Sequence, residues 1–256
     1  MVTEAGIEDR RLKVAEIISH QGFVSLVEIV QNLGISGSTV RRDLEALEDQ
    51  GLIRRTHGGA IWVSGATGRP ALADRDVPML PQKQMIARTV ASLVPQGQTV
   101  ILSGGTTCYQ VARMLQGRRL NVITNSVQIS SLLTSDMGTE VTMLGGTVYP
   151  RIGVTLGTMT ERQLDSMHAS QLVLSCAGVT QDGAFEPNQM MVDVERKMMQ
   201  TVDRAILAVD HTKFGMRAVF KLCQLDELDV IVADAQTPEE ARKWLSSVAA
   251  KVVFAE

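Results

Sequence analysis

The chain has 256 residues, 45% hydrophobic and 21% charged, enough for a buried core and suited to one large domain or a small one joined to a medium one. It contains no apolar run as long as the ~18 residues of a membrane span. Residues 1–11 lack the apolar stretch of a signal peptide, and three scattered cysteines (Cys108, Cys176, Cys223) make neither a disulfide framework nor a zinc spacing. A reduced, cytoplasmic protein with its thiols packed inside is expected. The net charge of −3 excludes a globally basic nucleic-acid binder, so DNA affinity would have to come from local clusters of Lys and Arg.

The first sixty residues read as short helices. Leu12, Ala15, Ile17 and Ile18 lie at helical spacing in a segment that stops near Gly22. Ser25-Leu26-Val27-Glu28 is a capping-box pattern that opens a second helix, ended by Gly34 at about Leu33. After Gly34-Ile35-Ser36 a third helix runs to about Gln50, with Val40, Leu44 and Leu47 as its apolar stripe. Residues 52–55 read as a short strand and 57–62 as a turn and return strand. Three helices and a hairpin make a winged helix-turn-helix over residues 1–62. Residues 63–80, with Gly65, Gly68, Pro70 and Pro78, read as a linker.

From Pro81 strands and helices alternate. A helix is expected over 82–94 and strands over 99–102, 120–123, 141–144, 172–175, 205–209, 230–232 and 251–255. Thr237-Pro238-Glu239-Glu240 reads as a late helix start, with proline at the first helical position and a capping box. Near-continuous Val/Ile/Leu strands between helices predict an α/β domain over residues 81–256, built on a parallel sheet buried on both faces.

Two groups of residues carry chemistry. Ser36, Ser38, Thr39, Arg41 and Arg42 open the third helix, where a recognition helix presents hydroxyls and guanidinium groups to the major groove. Arg54, Arg55 and His57 follow on the hairpin, placed to meet the DNA backbone or minor groove. The plainer reading makes Arg41 and Arg42 solvated and balanced by Asp43 or Glu45; the Gly-Ile-Ser turn before them favours DNA. In the second domain Ser103, Gly104, Gly105, Thr106 and Thr107, then Thr124, Asn125 and Ser126, then Gly145 and Gly146 follow successive strands, where backbone N–H groups and hydroxyls can cradle a phosphate. Lys213 is the expected cationic partner of that anion.

The run LVEIVQNLGISGSTVRRDLEALEDQGLIRRTHGGAIW resembles the N-terminal signature of the DeoR family of bacterial regulators, with its Ser-x-x-Thr-[Ile/Val]-Arg-Arg-Asp-Leu core and Arg-x-His-Gly-Gly-Ala wing. The stretches KQMIARTVASLVPQGQTVILSGGTT, NVITNS, MLGGTV, CAGVTQDGAFEP and AILAVDHTKFG resemble the family's effector domain. The resemblance implies a domain related in fold to ribose-phosphate isomerases that binds phosphorylated sugars, and an oligomeric repressor of carbohydrate genes. Its partners would be double-stranded operator DNA and a small phosphorylated metabolite, with no cofactor, metal or catalytic residue. Asp43 is then a partner of nearby Arg side chains rather than a DNA contact. The chain departs from the family pattern where Ser103 and Ser170 replace Asp and Glu195 replaces Lys, so the effector's identity does not carry over. The rival readings are a sugar-phosphate isomerase, whose base would come from Asp182, Glu186, Asp193, Glu195 or Asp210, and a metabolite-binding protein with no DNA role. Those five carboxylates are expected to be solvated, and the Met pairs at 190–191 and 198–199 to serve as helix core or subunit contact.

Overall fold

The computed structural model describes residues 10–11, 13–15, 17–18, 23–49, 53–56, 58–62, 77–135 and 138–256. The chain divides into two compact units, Met1–Pro70 and Ala71–Glu256.

In the first unit the described residues within 10–18 are helical (α1). They are followed by β1 (Phe23–Ser25), α2 (Leu26–Leu33), α3 (Gly37–Asp49), β2 (Ile53–Thr56) and β3 (Gly59–Trp62). The expected capping box forms: the Ser25 hydroxyl accepts from the Glu28 N–H at 3.2 Å, and the Glu28 carboxylate accepts from the Ser25 N–H at 3.0 Å. Gly34 ends α2 in the left-handed conformation, at φ 63°. Ser36 starts α3 by accepting from the Thr39 N–H at 3.2 Å.

The strands pair antiparallel in the order β1-β3-β2. β1 adds a third strand to the expected hairpin. With three residues, the last of them a helix cap, it is too short to carry a period-two signal. Gly59 makes the third strand possible, because a Cβ there would lie 2.1 Å from the Val24 carbonyl oxygen.

α3 buries Val40, Asp43, Leu44 and Leu47, one face of a 3.6-residue period, against Val14, Ile18, Ile29 and Ile53. The carboxylate in this apolar stripe is matched rather than orphaned. Arg10 donates to Asp43 through Nε at 2.6 Å and Nη2 at 2.9 Å, and Arg11 Nε donates at 3.3 Å. This clamp joins α1 to α3. Asp43→Ala removes the charge-assisted hydrogen bonds to the partly exposed Arg10 and Arg11 and is expected to cost about 1–2 kcal/mol, measured by urea denaturation; an unchanged midpoint would show the clamp to be dispensable.

The second unit is a seven-stranded sheet of β4 (Thr99–Leu102), β5 (Leu120–Thr124), β6 (Thr139–Met143), β9 (Gln171–Leu174), β12 (Ala205–Val209), β14 (Val230–Asp234) and β15 (Lys251–Ala255). The order is β15-β14-β12-β9-β4-β5-β6 and every pair is parallel. Alternate residues enter different cores: Ile101, Leu172 and Leu174 pack in one, Val100, Leu102 and Val173 in the other. The crossing helices are α4 (Leu80–Ser92), α5 (Thr106–Leu115), α6 (Val127–Leu133), α7 (Thr158–Leu164), α8 (Gln189–Gln200) and α9 (Glu239–Leu245).

Three features differ from expectation. A hairpin of β7 (Thr147–Tyr149) and β8 (Val154–Leu156), and an antiparallel sheet of β10 (Gly178–Thr180), β11 (Gly183–Glu186) and β13 (Phe220–Cys223), add to the parallel sheet. α4 begins at Leu80 rather than Gln82, entered from Met79 at φ 57°. The capping box at Thr237 does not form, because that hydroxyl donates to the Asp234 carbonyl at 2.7 Å and Pro238 sits at the N-cap. Among the described residues no helix is long and apolar enough to cross a membrane.

Candidate functional site

The exposed face of α3 carries Ser38, Arg41, Arg42 and Glu45, at i, i+3, i+4 and i+7, while the matching stripe Val40, Asp43, Leu44 and Leu47 turns inward. At the helix start the Ser36 hydroxyl lies 2.9 Å from that of Ser38 and 2.8 Å from that of Thr39, a cluster of donors and acceptors open to solvent. Asp43 neutralises Arg10 and Arg11, not Arg41 and Arg42, and no described residue forms an ion pair with either of the latter two. Arg55 is different. It donates to Glu48 through Nε at 2.6 Å and its backbone N–H at 2.8 Å, and lies 3.8 Å from Glu45, so it fastens β2 to α3. Arg54 is on β2 opposite Ile61; His57 lies outside the described residues.

In the second unit the chain order reverses between β4 and β9, which are neighbours in the sheet although β5 to β8 lie between them in the chain. Such a switch point leaves a crevice beyond the carboxyl ends of the strands. A cavity of about 360 Å³ occupies it. Ser103, Gly104, Gly105, Thr106 and Thr107 after β4, Asn125 after β5, Ser175 to Ala177 after β9 and Lys213 after β12 all line it. The β7–β8 hairpin contributes Tyr149, Arg151, Ile152 and Val154, and α8 contributes Met191 and Glu195. Gly104 lets the hairpin close in, since a Cβ there would lie 2.2 Å from Val154 Cγ1. Gly105, at φ 98°, enters α5 with no side-chain cap on the first turn.

Four expected residues do not line the cavity. Thr124 donates to the Leu102 carbonyl at 2.7 Å and accepts from the Ser126 N–H at 3.0 Å; Ser126 caps α6 through the Ile129 N–H at 3.3 Å. The Gly145 carbonyl accepts from Thr160 at 2.8 Å and from Gln163 at 3.1 Å, and a Cβ on Gly146 would lie 2.2 Å from the Thr160 hydroxyl. These residues shape the walls by local capping and by packing on α7.

The cavity holds charges of both signs. Lys83 of α4, 6% exposed, donates to the Pro78 carbonyl at 2.7 Å and lies 3.5 Å from Asp210. Burial pushes its ammonium pKa down, and Asp210 acts against that shift. Lys213 follows a loop fixed by Asp234, which accepts from the His211 N–H at 2.7 Å. Glu186 and Glu195, also lining the cavity, are 3% and 5% exposed. Ser103 donates to Glu195 at 2.8 Å. Burial pushes both carboxyls well up, mutual repulsion raises Glu186 further, and Lys213 partly offsets it.

Residues 79–235 match the DeoR C terminal sensor domain, and residues 10–65 match the DeoR-like helix-turn-helix domain. The chain belongs to the DeoR family. It is 31% identical over 246 residues to the transcriptional repressor AccR of Agrobacterium fabrum, covering 92% of this chain and 95% of that one. It is likewise 31% identical over 235 residues to the glycerol-3-phosphate regulon repressor of Escherichia coli, covering 91% and 93%. Ribose 5-phosphate isomerase A from Neisseria gonorrhoeae overlays 53% of each chain at 12% identity and a TM-score of 0.39. This DeoR-family chain is therefore a DNA-binding transcriptional regulator rather than an isomerase.

Sequence reasoning missed Lys83 and the β7–β8 hairpin, and named Glu186 and Glu195 as carboxylates expected to be solvated. Lys83 sits on an amphipathic helix, where a lysine reads as solvated. Of the five carboxylates expected to be solvated, Asp182 and Asp193 are exposed, whereas Glu186, Glu195 and Asp210 are buried. Glu195 lies within the Met-bearing helix α8, in which Met198 is core and Met190 is exposed.

Because the Glu186 pKa is raised in the folded state, its ionisation opposes folding. Stability from this group is present below its ordinary value near 4.5 and falls as pH rises above it. Glu186→Gln is expected to raise the melting temperature at pH 8 while leaving it little changed at pH 4; an equal effect at both pH values, in differential scanning fluorimetry, would refute the ionisation account.

Proposed function

We propose that this regulator is a cytoplasmic repressor of carbohydrate-metabolism genes, oligomeric on operator DNA, whose DNA affinity changes when its sensor domain binds a phosphorylated metabolite. Residues 1–62 serve as the DNA reader, 63–80 as the linker and 81–256 as the sensor. The observation that carries the ligand reading is the start of α5, where the first-turn amides have no side-chain cap, face a cavity and have Lys213 among its other lining groups. A helix N-terminus with a nearby ammonium suits a phosphate. The regulon named in the Escherichia coli relative supports a phosphate ester.

On the DNA side, Arg41 and Arg42 are the exposed cations of α3, with the hydroxyls of Ser36, Ser38 and Thr39 beside them, while Arg55 acts first as a wing fastener. A single small reader has modest affinity, so a symmetric pair on repeated half-sites supplies the rest. Repression responds to the ligand only if the ligand binds two conformations with different affinity.

Replacing Arg41 and Arg42 together by alanine is expected to weaken binding to the chain's own upstream region at least about tenfold. A mobility-shift titration at low salt checks this, and a double variant that shifts like the parent overturns the assignment of α3. Lys213→Ala is expected to blunt the response to phosphorylated sugars about tenfold while operator binding without ligand persists. Loss of both in the same titration would make Lys213 a structural residue.

A further inference from the structure

The cavity contains two buried carboxylates that a phosphate alone leaves unexplained. No ion pair among the described residues engages Glu186 or Glu195. Glu195 Oε1 accepts from Ser103, but Oε2 is buried with no hydrogen-bond partner, and so is the side-chain oxygen of Asn125 on the cavity wall. Both orphans are acceptors. A buried acceptor left unmade costs free energy, so each calls for a donor from whatever fills the cavity.

Placement narrows the donor. Ser103, which holds Glu195, directly precedes the Gly104-Gly105 loop at the α5 start, so a phosphate bound there lies close to a carboxylate pair. A dianion beside these two carboxyl groups adds like-charge repulsion against their ionised forms, on top of the burial that already raises both pKa values. A ligand that is positive at its other end removes this repulsion and supplies donors to the orphaned oxygens.

We propose that the effector is a phosphate ester that also carries a protonated amino group, with Glu195 and Glu186 binding the ammonium. The inference rests on the phosphate reading above and narrows it to a class. A neutral polyol phosphate would supply donors too, but it leaves the carboxylates either uncompensated or obliged to retain protons. An ammonium pairs with them as they ionise.

Isothermal titration calorimetry of the full chain in EDTA at neutral pH tests this with matched probes. These are glucose 6-phosphate against glucosamine 6-phosphate, the corresponding 1-phosphates, and inorganic phosphate. In at least one pair the amino member is expected to bind about tenfold more tightly, and Glu195→Gln, of nearly equal size, to reduce that ratio below about threefold. Glu186→Gln is the second variant, expected to reduce the ratio in the same direction, and the unliganded melting curve of each confirms that it folds. Inorganic phosphate binding with hydroxyl members equal to or tighter than amino members overturns the ammonium site and leaves the phosphate site standing. A preference that survives in both variants overturns it as well. Tight binding of a hydroxyl member that appears only on adding magnesium assigns the carboxylates to a metal ion, again against the proposal. If neither inorganic phosphate nor any ester binds, the phosphate reading falls and this inference falls with it.

Discussion

Every strand of the seven-stranded sheet runs in the same direction, so every strand ends on the same edge. This constraint determines the rest of the second unit. A parallel strand must return through a crossover, which brings helix starts to that edge, where their first amides need partners from outside the helix. Chain positions from Lys83 to Lys213 meet there because the sheet order, not the sequence order, sets their neighbours. The reversal between β4 and β9 opens the crevice, the β7–β8 hairpin covers it, and Gly104 permits the cover to approach. Charge then follows from position. Groups on the crossovers and on α8 are removed from water by the same packing that closes the cavity, so they must find partners inside it or leave them to a ligand.

The parts of this molecule legible in the sequence are those decided locally. Ser25 and Glu28 announce a helix start that depends on nothing beyond four residues, and the Val40-Leu44-Leu47 stripe announces which way α3 faces. The Val/Ile/Leu strands likewise declare a sheet buried on both sides. The loop Ser103–Thr107 stood out by its place after a strand and before a helix, beside similar loops at other strand ends, since a Gly-Gly-Thr-Thr run alone is more often a plain turn. Legibility ended where long-range contacts decide. Thr124 and Ser126 have the composition of a binding loop, but the Thr124 hydroxyl is taken by the Leu102 carbonyl of the neighbouring strand and the Ser126 hydroxyl caps α6, which composition does not distinguish. Lys83 and Glu186 look like surface residues until the sheet order brings Asp210 and Glu195 beside them. The antiparallel strands β10, β11 and β13 are three or four residues long and separated by α8, too short and too scattered for periodicity to register.

The same distinction between local and distant partners governs the DNA-reading unit. Glu45, Glu48 and Asp43 give α3 an acidic composition, which from the sequence alone would cancel its two arginines. In the folded unit Asp43 is turned inward onto Arg10 and Arg11, and Glu48 holds Arg55. Asp43 and Glu48 are thereby engaged by arginines outside the helix, while Arg41 and Arg42 have no ion pair among the described residues. A chain of net negative charge thereby keeps two arginines exposed on α3 without a basic domain.

That distribution of charge has a thermodynamic corollary. Condensed counterions leave DNA in proportion to the phosphates that a protein neutralises, so the salt sensitivity of binding measures how many cations do that work. With Arg55 already paired and Arg41 and Arg42 facing outward, α3 brings two. Each copy's helix would then contribute only about −2 to the slope of log affinity against log salt. Two such helices on one operator would give a slope of about −4, so a fourfold rise in salt would weaken this contribution on the order of a hundredfold. The reader's discrimination between sites must come from shape and hydrogen bonding at the groove edge, to which the Ser36, Ser38 and Thr39 hydroxyls are suited.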